Sequence, residues 1–242
     1  MDKVIVERHG TVVVVTINRP EVRNCVDTET ADLLENAVRA FDADDEARVL
    51  LLTGAGTQSF CSGADLKAPP RFREAGPMGM SRLELSKPTI AAIAGYCYAG
   101  GLELACWCDF RIADSTALFG VVNRRWGVPL IDGGTQRLPR IVGLGNALYL
   151  IESGASIDAK TALRIGLVQE VVQAGKALTR SLELATRIAE YPQASLLADR
   201  ASALALDGIQ AEAERGEATI GEEMRAGLER FRAGDRPAPP DG

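Results

Sequence analysis

Short aliphatic runs, several closed by a glycine turn and two of them followed by a helix-patterned stretch, recur along the first two-thirds of this 242-residue chain. That repetition limits the folds open to it more than any other feature. Residues 4–8 (Val-Ile-Val-Glu-Arg) and 11–18 (Thr-Val-Val-Val-Val-Thr-Ile-Asn) are β-rich and meet through His9-Gly10, which predicts a hairpin ended by Arg19-Pro20. Asp27 or Thr28 can cap a helix in which Leu34, Val38 and Phe41 recur at i, i+4 and i+7, and the acidic stretch 42–46 stops it. Residues 49–53 read as a short buried strand, followed by a glycine-rich turn over 54–63. Strand, helix, strand predicts a right-handed crossover. Residues 89–94 are the next buried strand, running through Gly95 into a helical pattern over 100–107, and 109–113 and 117–119 are two further short strands. The pattern is that of an α/β fold built from repeated strand, strand, helix units.

Residues 68–86 hold Pro69, Pro70, Gly76, Pro77 and Gly79 among arginines, methionines and a phenylalanine, a composition no regular element selects, so a mobile loop or lid is expected there. From Thr135 onward helices dominate: 135–142, 146–152, and 157–164 capped at Ser156 and closed by Gly166, then one strand at 167–172 and helices from about Ala174. Residues 212–232 are rich in charge and alanine, and 233–242, with three prolines, reads as a frayed tail. The expected division is a core over 1–173 and a helical region over 174–242. A helical segment so poor in apolar residues is expected to pack on another part of the fold or on another subunit, which predicts an oligomer.

Several function classes drop out early. No aliphatic run approaches the ~18 residues a membrane-spanning helix needs. The N-terminus carries acids where an export signal wants a basic start and an apolar run, so the expected compartment is the cytoplasm. The five cysteines (Cys25, Cys61, Cys97, Cys106, Cys108) are odd in number and scattered, which predicts reduced, mostly buried thiols, and Cys106-Trp107-Cys108 lacks the spacing of a zinc knuckle. The one histidine, His9, sits in the predicted turn, so histidine triads are improbable. With 27 Lys+Arg against 33 Asp+Glu, a net charge of −6 and a pI of about 5.0, the surface repels nucleic-acid phosphates.

Three short stretches remain as carriers of chemistry. Gly54-Ala55-Gly56 lacks the third glycine and the Lys-Ser/Thr of a phosphate loop and reads as a tight turn. Gly95-Tyr96-Cys97-Tyr98-Ala99-Gly100-Gly101-Leu102-Glu103 places a strand end, two glycines and a helix start together. The first N–H groups of a helix lack internal partners and lie at its positive end, and the missing Cβ of Gly100 lets a ligand oxygen approach. Such a donor is worth roughly 3–4 kcal/mol to a developing oxyanion. Glu103 follows one turn later on the same face. Taken alone, this stretch is better explained by close helix–strand packing with a first-turn acid. The third stretch, residues 60–66, carries Gly63 in a loop after a strand, where the Ala64 N–H would be a second donor; alone, it reads as a turn around Asp65.

Taken together, these loops, with residues 86–95 leading into the second and Gly133-Gly134-Thr135-Gln136-Arg137-Leu138-Pro139 after it, resemble the crotonase (enoyl-CoA hydratase/isomerase) family, in register from about Val12 to Val172. The resemblance implies a crotonase-like spiral of ββα repeats with a C-terminal helical trimerisation region, acting on acyl-CoA thioesters as a homotrimer or dimer of trimers. It implies no metal or redox cofactor, coenzyme A being part of the substrate; the acidic charge and the short aliphatic runs lead to the expectation of no nucleic-acid or membrane partner. Ala64 and Gly100 match the positions whose amides hold the thioester oxygen as it becomes an enolate, and Glu103 matches the first of two catalytic glutamates. Val22, Arg23, Ala64, Asp65, Leu66 and Gly100 match segments lining the CoA.

The chain departs from the family at one position: Asn123 stands where the second glutamate is expected. Asparagine can orient a water but cannot exchange a proton at neutral pH. Asp132, in Pro129-Leu130-Ile131-Asp132-Gly133-Gly134, is the nearest replacement, and it reads equally as the cap of the helix near Thr135. Arg124 and Arg125 are read as surface charges. The expectation is an enzyme of the enoyl-CoA hydratase/isomerase type with Glu103 as acid/base. Its alternatives are an isomerase, hydrolase or lyase using Glu103 with Asp132, and a catalytically weak CoA-thioester-binding protein.

Overall fold

The computed structural model describes residues 2–206 and 208–233. They fall into two compact units divided between Ala189 and Glu190.

In the first unit, β1 (Val4–His9) and β2 (Val12–Ile17) form the antiparallel hairpin about Gly10. A parallel crossover through α1 (Thr28–Ala43) reaches β3 (Val49–Gly54), and β5 (Thr89–Ile93), β7 (Phe110–Asp114) and β10 (Glu170–Val172) complete a six-stranded sheet in the order β1-β2-β3-β5-β7-β10. Its central strands read as unbroken aliphatic runs because both faces are covered. Val13, Val15, Ile17, Leu50, Leu52, Ala91 and Ile93 face one hydrophobic cluster, shared with Leu34, Val38 and Phe41 of α1. Val12, Val14, Val49, Leu51, Ile90 and Ile112 face another, closed by Ala185 and Ala189 of α6 (Ala177–Glu190). The period-2 alternation of side chains assigns each residue to its face.

A second sheet, β4 (Ser59–Cys61), β6 (Tyr96–Tyr98), β8 (Leu118–Gly120) and β9 (Ser156–Asp158), is built from three-residue strands that the residue pattern did not mark at β4, β6 and β9. β4 lies inside the expected glycine turn. β9 displaces the expected cap: Asp158, not Ser156, accepts from the Thr161 N–H and starts α5 (Ala159–Arg164). α2 (Gly100–Trp107) follows β6, and α3 (Gly134–Val142) and α4 (Leu144–Ser153) lie between β8 and β9. Segment 68–86, expected as a mobile lid, holds no regular element, yet residues 75–81 are buried, with Met78 and Met80 in the core.

The second unit contains α7 (Gln193–Ala205), α8 (Ile209–Ala218) and α9 (Glu222–Arg232). Arg215 on α8 donates to Ser202 on α7, and Glu223 on α9 accepts from the Ala194 N–H. α7 buries no residue. From residue 234 on, the expected tail lies outside the described residues. No helix among the described residues is long and apolar enough to cross a membrane.

Candidate active site

The second sheet hands the chain to the site. β6 ends at Tyr98, and Ala99 turns the backbone into α2 with φ 52° and ψ −123°, a conformation that is costly for a residue with a Cβ. Ala99 has no side-chain acceptor, so the helix start is uncapped, and the Gly100 N–H donates no hydrogen bond within the described residues. On the neighbouring strand β4, Ser62-Gly63-Ala64 leaves the sheet with Gly63 at φ +99°. The Val26 N–H donates to the Gly63 carbonyl (2.9 Å) and the Asp65 N–H donates to the Val26 carbonyl (2.8 Å), ties that fix the backbone on both sides of Ala64. The Ala64 N–H itself donates to nothing within the described residues. A Cβ placed on Gly63 would stand 3.0 Å from the Gly100 nitrogen, so a side chain there would press the two loops apart.

Ala64 and Gly100 line one cavity of about 340 Å³, together with Leu66, Phe72, Pro77, Met78, Val122, Trp126 and residues 128–131. The polar side chains at its wall are those of Ser62, Glu103, Asn123 and Asp132, and none is basic. Phe72 and Trp126 are 83% and 72% exposed. Glu103, on the first turn of α2, is 3% exposed. Its Oε1 accepts from the Asp132 and Gly134 N–H groups, both at 2.8 Å, while Oε2 accepts no hydrogen bond from the described residues and faces the cavity that Glu103 lines. Burial pushes this carboxyl up to about 7; the nearby Asp132 adds to the rise, and the two amides and Arg137 oppose it. At neutral pH such a group exists in both protonation states, which suits a residue that gives and takes protons.

The other expected residues divide into those at the cavity and those away from it. Asn123 lies in the 3-10 turn Val122–Trp126, 7% exposed; its Nδ2 donates to the Val128 carbonyl (2.7 Å) and its Oδ1 is buried without a partner. Asp132 is 3% exposed and caps no helix: α3 begins behind Gly133 without a side-chain cap, and Asp132 Oδ1 accepts instead from the Met78 N–H (3.0 Å) and the Ser81 hydroxyl. Leu66 stands at the cavity wall, but Val22, Arg23 and Asp65 do not. Val22 ends the turn Pro20–Val22, Arg23 stacks 5.1 Å from the Tyr96 ring, and Asp65 pairs with Arg19 at 3.0 Å. Arg124 and Arg125 donate to the Ile151 and Gly154 carbonyls near the end of α4. Residue pattern alone missed Met78, Ser81 and Trp126 at or behind the wall; the only signal for the first two was the odd composition of segment 68–86.

Comparison with known proteins identifies the relatives of this arrangement. The sequence model of the enoyl-CoA hydratase/isomerase family matches residues 7–224. The chain is 41% identical over 197 residues to the short-chain-enoyl-CoA hydratase of Clostridium acetobutylicum, covering 78% of this chain and 76% of that protein. It is 37% identical over 223 residues to the crotonyl-CoA hydratase of Syntrophomonas wolfei, covering 88% and 85%. Among solved structures, a probable enoyl-CoA hydratase/isomerase from Mycobacterium abscessus superposes with a TM-score of 0.88 at 31% identity, covering 98% of both chains.

Proposed function

This chain belongs to the enoyl-CoA hydratase/isomerase family and is an enzyme of the enoyl-CoA hydratase type, and we propose that it adds water to, or removes it from, acyl-CoA thioesters through a thioester enolate. The Ala64 and Gly100 amides receive the thioester oxygen, and Glu103 Oε2 handles the proton at Cα. In hydration the water oxygen bonds to Cβ and gives up a proton to a neighbouring base, the Cα=Cβ pair shifts to Cα–C1 as the carbonyl pair moves onto the thioester oxygen, and protonated Glu103 gives its proton to Cα as the enolate collapses, the two groups re-equilibrating with solvent after release. The observation that carries this reading is the pairing of two amides without acceptors and a carboxylic acid poised near neutrality in one apolar cavity. Val22, Arg23, Asp65 and Leu66 would face the CoA moiety, and the cavity wall would enclose the acyl chain. No metal or redox cofactor enters this reading, coenzyme A being part of the substrate.

Hydration of crotonyl-CoA, followed by loss of the enoyl-thioester ultraviolet absorbance, tests the reading: turnover that Glu103→Gln abolishes supports it. Asn123, unable to exchange a proton, favours a second reading of a thioester-binding protein with little turnover, and binding without turnover across an acyl-CoA panel would select it. We further propose that the protein assembles as a homotrimer or dimer of trimers, supported by the exposed Leu144 and Tyr149 on α4; light scattering on the purified chain measures this.

A further inference from the structure

We propose that Asp132 is the second proton-handling carboxylate of this site and that Ser81 is the residue that positions it. The inference rests on the enolate reading above and adds the group that activates the water.

Glu103 and Asp132 are held in the same way. Each has one oxygen fixed by two donors, and each leaves the other oxygen without a hydrogen bond from the described residues, at the wall of the cavity. The two are also linked directly, since the Asp132 N–H donates to Glu103 Oε1 at 2.8 Å. The mount of Asp132 is specific. Arg137 Nη1 donates to the Asp132 carbonyl (3.0 Å) and its Nη2 to the Ser81 carbonyl (2.7 Å), while Arg82 donates to the Ile131 carbonyl (2.8 Å), so two segments 50 residues apart are fastened side by side. Gly76, at φ +90°, makes room: a Cβ there would fall 2.1 Å from Ser81 Oγ and 2.7 Å from Asp132 Oδ1. Asn123 has no group that gains or loses a proton near neutral pH, and its Nδ2 donates to the Val128 carbonyl.

The proton balance closes with these two groups. Asp132 Oδ2 takes a proton from the attacking water as its oxygen bonds to Cβ, and protonated Glu103 gives one to Cα; one water is added, and the carboxyls re-equilibrate with solvent after release. The charged groups around Asp132 are Glu103 from α2, Arg137 from α3 and Arg82 from segment 68–86.

The test compares Asp132→Asn and Ser81→Ala with the native enzyme on crotonyl-CoA. Asn keeps Oδ1 for Ser81 and Met78 and alters only the free oxygen, so the fold is retained and thermal melting checks it. The expected result is a kcat lower by about 10²-fold or more with KM within about twofold. Ser81→Ala is expected to lower kcat about tenfold with KM within about twofold, and Ser81→Thr, which keeps the hydroxyl donor to Asp132 Oδ1, to recover most of that loss; a merely structural serine would shift the melting temperature and leave kcat in place. If Glu103→Gln is inactive while Asp132→Asn keeps its kcat within about twofold, Asp132 is a structural tie and this inference falls while the enolate reading stands. If the native enzyme neither hydrates crotonyl-CoA nor exchanges the Cα protons of butyryl-CoA with deuterium oxide, the enolate reading falls and this inference with it.

Discussion

Helices α1 and α2 begin in opposite ways. α1 starts behind Asp27, whose carboxylate accepts from the Thr30 N–H at 2.8 Å, and it buries one stripe of Thr30, Ala31, Leu34, Val38 and Phe41. α2 starts behind a strained Ala99 with no side-chain acceptor, and all of its residues are buried, Glu103 included. A helix that serves only packing has its orphan amide satisfied by its own sequence. The other leaves its first amide without an acceptor among the described residues and carries its acid inside, where burial raises it to about 7. The contrast predicts that changes at the start of α2 alter reactivity more than stability, and that changes at the start of α1 do the reverse.

The largest effect belongs to Glu103→Gln, which should lower kcat for crotonyl-CoA hydration by about 10²–10⁴-fold; a rate near native would erase the distinction between the two helices. In the native enzyme, kcat/KM for hydration should decline as pH rises through about 7, because Glu103 must be protonated to deliver a proton to Cα. A hydration profile flat across that range would remove Glu103 from the proton transfer.

The same substitution sharpens the contrast from the stability side. Glu103 is raised from 4.5 to about 7, so the folded protein holds a proton that the unfolded chain releases. That preference stabilises the fold fully below pH 4.5 and is lost as pH rises through about 7. Glutamine, always neutral, should therefore stabilise the fold above pH 7 by up to roughly 3 kcal/mol at 1.36 kcal/mol per unit, read as a higher melting temperature, and have little effect near pH 4. Thermal melts at pH 4 and pH 8 measure the difference. An inactive variant more stable than the native enzyme at pH 8 would show that the buried acid is retained for reactivity.

The same contrast accounts for what the residue pattern disclosed. The hairpin, the Asp27 cap of α1 and the buried runs β3 and β5 were legible because each depends on residues adjacent in sequence or at a fixed period. The two amide loops were legible as glycine-bearing strand ends. The second sheet was not, because β4, β6 and β9 are three residues each and two of them lie beside glycines; their pairing is set by tertiary contact. The mount of Asp132 was invisible for a related reason. Ser81 and the Met78 amide reach it from 51 and 54 residues away, out of a segment whose prolines and glycines read as an exposed lid.

A smaller effect is expected at Gly100→Ala. The added Cβ would meet Met78 Sδ at 2.8 Å and Cε at 3.1 Å, and a flexible thioether can yield, so the fold should persist with Met78 displaced along the cavity wall. The expected loss is about 10- to 100-fold in kcat/KM, on the scale of a reacting group misplaced by about 1 Å. A native value would mean that the acyl group does not pass Met78.

The smallest effect, and the one that tests the other half of the contrast, is Asp27→Ala. Burial alone would raise this carboxyl, but hydrogen bonds from Lys3 and from Thr30, with the Arg19 charge, bring it from 3.8 down to about 2. Losing the cap should cost about 1–2 kcal/mol, read as a lower melting temperature at pH 7. With a folded value below the ordinary one, the carboxylate's contribution is complete above pH 3.8 and disappears as pH falls through about 2, so native and variant melts should converge in strong acid. Crotonyl-CoA turnover should stay native, because Arg19, which lies 3.3 Å from Asp27, keeps its 3.0 Å pairing with Asp65 and so holds the backbone beside Ala64. A fall in kcat/KM matching that of Gly100→Ala would mean that the Asp27–Arg19–Asp65 chain transmits strain to the Ala64 amide, and that the two helix starts act as one unit.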